Sequence, residues 1–295
     1  DFSDTLSMVG YSDLRNLCLL GANLLDADLA VSIDDDVTFH ETDWLETVTR
    51  GIGRKVNGRP VHALAGGYLH DLQLKLDVPE EGYVVPWNTT QLMNNTFEEF
   101  FTRGARYKES HFAIMGNIAV TRDFYKEVPL DPAMRRGEDS DWVFNAKLLD
   151  RRFVLDRELQ VHHQPPERPH PVWRSMREDI ARFLYQRKKY QAARDYRDGD
   201  FPTLDFFKPF PGRFWEKDLE RKISDGCNLL ATKYLAEDRP DDAQETLKNL
   251  YLAEHQFGNI DRNPAESYLS FQAIWANMMD WVESNASELR SDVFG

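Results

Sequence analysis

Leu29-Ala30-Val31-Ser32-Ile33-Asp34-Asp35-Asp36-Val37 carries a short, largely apolar run straight into three consecutive aspartates. The run has the length of a buried strand rather than of a helix. Upstream of it, Leu14, Leu17, Cys18, Gly21, Ala22 and Leu25 recur at helical spacing behind Ser12, a good N-cap, and Asp26-Ala27-Asp28 ends the pattern. A helix that delivers its chain into a short apolar strand is half of a βαβ unit, so the spacing predicts an α/β domain. Ligands of such sheets sit beyond the carboxyl ends of the strands, which is where the triplet falls. If the extended conformation continues, Asp34 and Asp36 share one face and Asp35 points the other way.

Adjacent carboxylates repel one another, and relief comes from a cation or from basic neighbours. A hard divalent cation that also holds phosphates is the natural partner. A calcium loop is excluded by spacing, because Phe39 stands where the turn glycine of that pattern belongs. A second acidic cluster, Gly137-Glu138-Asp139-Ser140-Asp141-Trp142, follows the rigid Pro129-Leu130-Asp131-Pro132 and opens a helix expected over 140–149. A helix start keeps a carboxylate ionised, so Glu138 and Asp139 are candidates for a general base; ordinary N-terminal capping is the plainer alternative. His162-His163 ends an extended run from Phe153 to Val161. A histidine there is either a neutral nitrogen ligand completing an Asp/His metal site or a ring packed at a strand end. Arg15 is either a bidentate partner for donor phosphates or a surface residue.

Further along, a helix is expected over 44–56, a strand over 61–69 containing Gly66-Gly67, a mixed stretch over 70–110 that Pro79, Gly82 and Pro86 break into loops, and a strand over 112–120 interrupted at Gly116-Asn117. After the proline-rich stretch 165–171 the texture changes to a long basic helix over 173–197 and further helices, one starting near Pro240 and one at Asn263-Pro264. This gives two expected domains, 1–172 and 173–295. The cations of the long helix form a solvated face or draw in an anionic acceptor or an acidic membrane surface, a peripheral contact.

The chain has 295 residues, 41% of them hydrophobic, enough for a substantial core. Its net charge of −14 argues against nonspecific nucleic-acid binding. No apolar stretch approaches the roughly 20 residues of a membrane span, and no secretory pattern opens the chain. Cys18 and Cys227 stand far apart without metal spacing and read as reduced core thiols, which fits a cytoplasmic setting. The sequence contains no Walker-type phosphate loop, no Gly-x-Gly-x-x-Gly, no Gly-x-Ser-x-Gly elbow and no cysteine pairs at zinc spacing.

Arg15-Asn16, Ala27-Asp28 and Val31–Asp36, then Met115-Gly116-Asn117-Ile118-Ala119-Val120, then Arg136–Asp141, and finally Val161-His162-His163 stand in the order used by family 2 glycosyltransferases and their relatives. Residues 12–165 resemble the middle of the GT-A fold of that family. The resemblance implies a mixed, mainly parallel sheet flanked by helices, with the C-terminal helices as an extension. It implies a nucleotide-sugar donor, a carbohydrate or other hydroxyl acceptor, and Mn²⁺ or Mg²⁺ as cofactor. Asp34–Asp36 would be the Asp-x-Asp motif, with Asp36 a direct metal ligand and Asp34 a second ligand or nearer the nucleotide ribose or donor sugar, with Asp35 beside it. Asp139 would be the catalytic base of an inverting transferase, with Glu138 contacting or positioning the acceptor. His163, with His162 as the alternative, would complete the metal site, and Gly116-Asn117 would line the donor-sugar or acceptor pocket. The strand–helix–strand unit with which the family grips its nucleotide base should precede Tyr11, so this sequence is expected to begin inside the fold. The Gln-x-x-Arg-Trp pattern of processive synthases is absent, Gln186-Arg187-Lys188-Lys189-Tyr190 standing in its place. The expected activity is therefore non-processive hexose transfer; the alternatives are a sugar-phosphate nucleotidyltransferase and a non-catalytic sugar- or partner-binding module.

Overall fold

The computed structural model describes residues 5–39, 43–70, 73–164, 170–198, 200–257 and 261–294; residues 165–169 of the proline-rich stretch lie outside them. The chain begins with α1 (Tyr11–Leu24), β1 (Leu29–Ile33), β2 (Val37–Thr38), α2 (Trp44–Gly51), the short strands β3 (Lys55–Val56) and β4 (Arg59–Pro60), and β5 (Ala63–Leu69). It continues through α3 (Thr89–Thr102), β6 (Tyr107–Ser110), β7 (Asn117–Thr121), α4 (Arg122–Glu127), α5 (Glu138–Leu148) and β8 (Phe153–His163). Helices follow: α6 (Val172–Tyr196), the short α7 (Leu204–Phe207) and α8 (Gly212–Glu216), α9 (Leu219–Ala236), α10 (Pro240–His255), α11 (Pro264–Ser284) and α12 (Ala286–Phe294). Among the described residues no helix is long and apolar enough to cross a membrane.

Two compact units divide the chain, one with residues 1–72, 103–164 and 267–295, the other with 73–102 and 165–266. The units are not consecutive in sequence: α3 groups with the helices beyond 165, and the chain past 267 groups with the sheet. The reason is visible in the packing. Trp275, Met278 and Met279 of α11 are buried in the same apolar cluster as Leu19, Phe124, Tyr125 and Trp142. Trp275 Nε1 donates to Tyr125 O at 3.0 Å, and Asn23 Nδ2 donates to Met279 O at 2.8 Å.

The sheet of the first unit has strand order β1-β7-β5-β8-β2, with β6 also paired to β8. It is the expected mixed α/β sheet flanked by helices, with a helical C-terminal region, although among the described residues parallel pairing is confined to β5–β8 and the other pairs are antiparallel. Strand alternation sends Ala63 and Ala65 to one apolar cluster and Leu64 to a second that contains Trp44, Val48, Tyr68, Val154 and Val161, so both faces are covered. The parallel pairing places the carboxyl ends of β5 and β8 side by side, Leu69 opposite His162.

That pairing contains an irregularity between Ala65 and Gly67, and Asn117 fills it. Asn117 Nδ2 donates to Gly67 O at 3.1 Å and to Leu159 O at 3.0 Å, while its Oδ1 accepts from Trp44 Nε1 at 3.2 Å. A Cβ on Gly66 would lie 2.1 Å from Leu159 O and 2.2 Å from Asn117 Nδ2, so only glycine fits there.

Two local expectations are corrected. Ser12 does not cap α1: it lies inside the helix, buried, and its Oγ donates to Met134 O at 2.6 Å. The inward face of α1 is Ser12, Asn16, Leu19 and Asn23, whereas Leu14 and Leu25 are exposed. Asn16 accounts for part of this reversal, since its side-chain amide pairs with both the N–H and the carbonyl of Leu130. The helix expected over 44–56 stops at Gly51, and Lys55–Pro60 is a β-hairpin whose turn residues Asn57 (φ 50°) and Gly58 (φ 77°) both take positive φ, the type I′ preference of Asn-Gly. The mixed stretch 70–110 carries the fourteen-residue helix α3.

Candidate active site

The strand β1 ends at Ile33, and the triplet does not continue it. Asp34–Val37 is a turn in which Val37 N–H donates to Asp34 O at 3.3 Å. Asp34 and Asp36 are nonetheless half-buried and Asp35 is exposed. Asp34 is held from two sides. Its Oδ1 pairs with the Arg15 guanidinium of α1, which also donates to Ser32 Oγ at 3.1 Å, and its Oδ2 accepts from the Tyr68 hydroxyl of β5 at 2.8 Å. Gly116 permits this crowding, because a Cβ there would stand 1.8 Å from Tyr68 Oη and 2.6 Å from Asp34 Oδ2.

Pairing of β2 with β8 sets Val37 opposite His163 and so brings the imidazole to the turn. His163 Nε2 lies 3.1 Å from Asp36 Oδ2, and His163 Nδ1 lies 3.3 Å from His70 Nδ1. The His163 ring stacks on Tyr68 with centroids 4.6 Å apart and meets the His70 ring edge-on at 4.8 Å. His162 points to the opposite face of β8 and pairs with Thr38, so of the two histidines it is His163 that joins the triplet.

Burial, above all, drives the Tyr68 phenol well above its ordinary value; the Asp34 carboxylate and its hydrogen bond add to this, followed by the charges of Asp139 and Asp36. The second acidic cluster therefore acts on the same phenol as the first. Gly137, in the left-handed conformation at φ 73°, turns the chain into α5. Of the three acidic residues in its first turn, Glu138 and Asp141 are buried, and Asn145 Nδ2 donates to Asp141 Oδ2 at 3.0 Å. Asp139 is half-buried at the positive end of the helix, where its Oδ1 accepts the Ser140 N–H at 2.7 Å.

Two expected site residues have other contacts. Asn117 is fully buried and ties β5, β8 and α2 together. Arg15 engages Asp34 itself. The basic helix α6 is laced into its own unit, with Arg177 on Glu245, Arg182 on Asp179 and Arg187 on Glu220. Tyr68 and His70 are the site residues that the sequence reading missed. A signal was present: both stand at the end of the strand expected over 61–69, the same position that drew attention to the triplet.

Asp36 Oδ1 is buried and has no hydrogen-bond partner among the described residues. An uncompensated carboxylate oxygen beside an imidazole nitrogen fits a cation. Among the described residues no three His, Cys, Asp or Glu side chains are grouped to hold a metal on their own. That matches Mn²⁺ or Mg²⁺ held by few protein ligands with substrate phosphates completing the shell, and the imidazole favours Mn²⁺. Beside the turn, Arg15, Cys18, Ala22, Val31, Ser32 and Met115 help line a groove of about 490 Å³ between α1 and β1.

No protein-family model matches the sequence, and no curated protein matches it. Among solved structures the chain is similar to the mannosyltransferase PcManGT from Pyrobaculum calidifontis in complex with GDP-Man and Mn²⁺, at 13% identity and a TM-score of 0.40. The match covers 87% of this chain, which spans 65% of that one. A likeness this distant assigns neither family nor activity.

Proposed function

We propose that the chain is a glycosyltransferase that uses a divalent cation to move a hexose from a nucleoside-diphosphate sugar to an acceptor hydroxyl, with inversion and without processivity. The observation that carries this reading is the Asp34–Asp36 turn, linked to Arg15, Tyr68 and His163. The order of the sequence motifs supports it independently.

Asp36 and His163 would hold the cation. Bound there, Mn²⁺ or Mg²⁺ supplies neutralisation of the charge that develops on a departing diphosphate. Asp34, fixed by Arg15 and Tyr68, orients the donor from the neighbouring position. Asp139, at the start of α5, takes the proton of the acceptor hydroxyl as its oxygen attacks the anomeric carbon opposite the leaving group. Glu138, buried in the same turn, positions Asp139.

The test is a panel of nucleotide sugars and acceptors incubated with Mn²⁺, scored for free nucleoside diphosphate and, by NMR, for the anomer formed. Asp36→Ala and Asp139→Asn are expected to lower nucleoside-diphosphate release strongly. Pyrophosphate as the product, or unchanged turnover in both variants, overturns the proposal.

A further inference from the structure

Resting on the reading of Asp36 and His163 as cation ligands, we infer that His70 is a positioning residue that sets the tautomer of His163 through the Nδ1···Nδ1 contact and thereby tunes cation affinity. The two faces of the His163 ring edge are both engaged, Nε2 by Asp36 Oδ2 at 3.1 Å and Nδ1 by His70 at 3.3 Å. Asp36 Oδ2 is an acceptor, so without a cation the proton of neutral His163 sits on Nε2, and Nδ1 accepts from His70 Nδ1–H. A metal ligand must instead present a bare Nε2, which moves the His163 proton to Nδ1. His70 Nδ1 then becomes the acceptor and His70 carries its own proton on Nε2. The exchange is a change of tautomer in each ring, so the protons rearrange and none is gained or lost.

This pairing explains why a second histidine ends β5 where β8 ends in His163. Few side chains other than histidine keep a ring against Tyr68 and His163 while offering one atom that either donates or accepts. Partners of this kind behind a metal-bound imidazole hold its tautomer and orientation, and losing one lowers metal affinity about 10–100-fold. The register places His70 there: the parallel pairing of β5 with β8 brings the residue after Leu69 alongside His163.

Two reciprocal variants separate hydrogen bonding from packing. His70→Phe keeps the ring and removes the nitrogen; His70→Asn removes the ring and keeps an amide group near the position of Nδ1. Mn²⁺ binding to the metal-free protein is measured by titration of the free-ion EPR signal, with near-UV circular dichroism confirming the fold of each variant. The expected result is a dissociation constant raised about 10–100-fold in His70→Phe and largely restored in His70→Asn. Wild-type affinity in His70→Phe, or an equal loss in both folded variants, overturns the role of His70 while leaving the cation site standing. If the wild-type protein itself takes up no Mn²⁺, the cation reading of Asp36 and His163 fails, and this inference fails with it.

Discussion

Tyr68 and Asp34 meet through a hydrogen bond of 2.8 Å that runs from the phenol of an interior strand to the carboxylate following the outermost one. Between β1 and β5 lies β7, and the residue just before it, Gly116, has no side chain to come between them. The acidic turn is thus anchored to the middle of the sheet. Its geometry depends on three residues far apart in sequence.

The contact predicts coupling between positions 68 and 116. Gly116→Ala is expected to lower stability by about 1–3 kcal/mol through overpacking. Tyr68→Phe removes the phenolic oxygen that the new methyl would strike, so the double variant should lose less than the sum of the single ones, with a coupling of about 0.5–3 kcal/mol. Urea denaturation of the four proteins measures it. Strict additivity would show that Gly116 accommodates a side chain by another route.

Asn117→Ala is expected to act on the fold rather than on the donor. It leaves the carbonyls of Gly67 and Leu159 without their amide partner in a buried position, a loss of about 1–3 kcal/mol. Thermal denaturation should register the loss while KM for the nucleotide sugar stays unchanged. A raised KM at unchanged Tm would return Asn117 to the donor pocket that the motif resemblance implies.

Cation dependence makes its own prediction. Dialysis against a chelator should abolish nucleoside-diphosphate release, and added Mn²⁺ should restore it. In Asp36→Ala the Mn²⁺ that saturates wild type should leave the rate lower by about 100-fold or more, as expected when several kcal/mol of charge stabilisation are removed. Full recovery of Asp36→Ala at that concentration would assign the cation to other ligands.

The two cysteines should differ sharply in reactivity. Cys18 is exposed on α1, whereas Cys227 is buried in α9 and burial pushes its thiol up to about 12. At pH 8 a disulfide reagent should titrate one thiol per native chain and two after unfolding. Because the folded state holds the Cys227 proton to about 12 and an unfolded cysteine loses it near about 8.5, this group's contribution to stability is complete below the lower value and falls as pH rises between the two. Two fast-reacting thiols in the native protein would refute the assigned burial.

Much of the site was legible because its parts are local. The strand ending just before Asp34, the glycine before Glu138 and Asp139, and the strand ending in His163 each declare themselves within about ten residues of sequence. Tyr68 and His70 did not, because their importance arises from the parallel register of β5 and β8, which no short window contains. The α1 face was misread for a different reason: it buries Ser12, Asn16 and Asn23, whose hydrogen bonds are made to Met134, Leu130 and Met279, so a search for apolar periodicity selected the wrong side. Asn57-Gly58 was a readable hairpin turn, masked by the helical pattern running into it from Trp44.

The bond from Asn23 to Met279 joins residues 256 positions apart. During synthesis, therefore, the sheet and its acidic turn must wait for α11 to emerge before their apolar cluster can close, while the intervening helices can settle earlier. A chain truncated shortly before Trp275 would carry Asp34, Asp36, Asp139 and His163 yet lack the three buried side chains that α11 adds to the apolar cluster of the first unit.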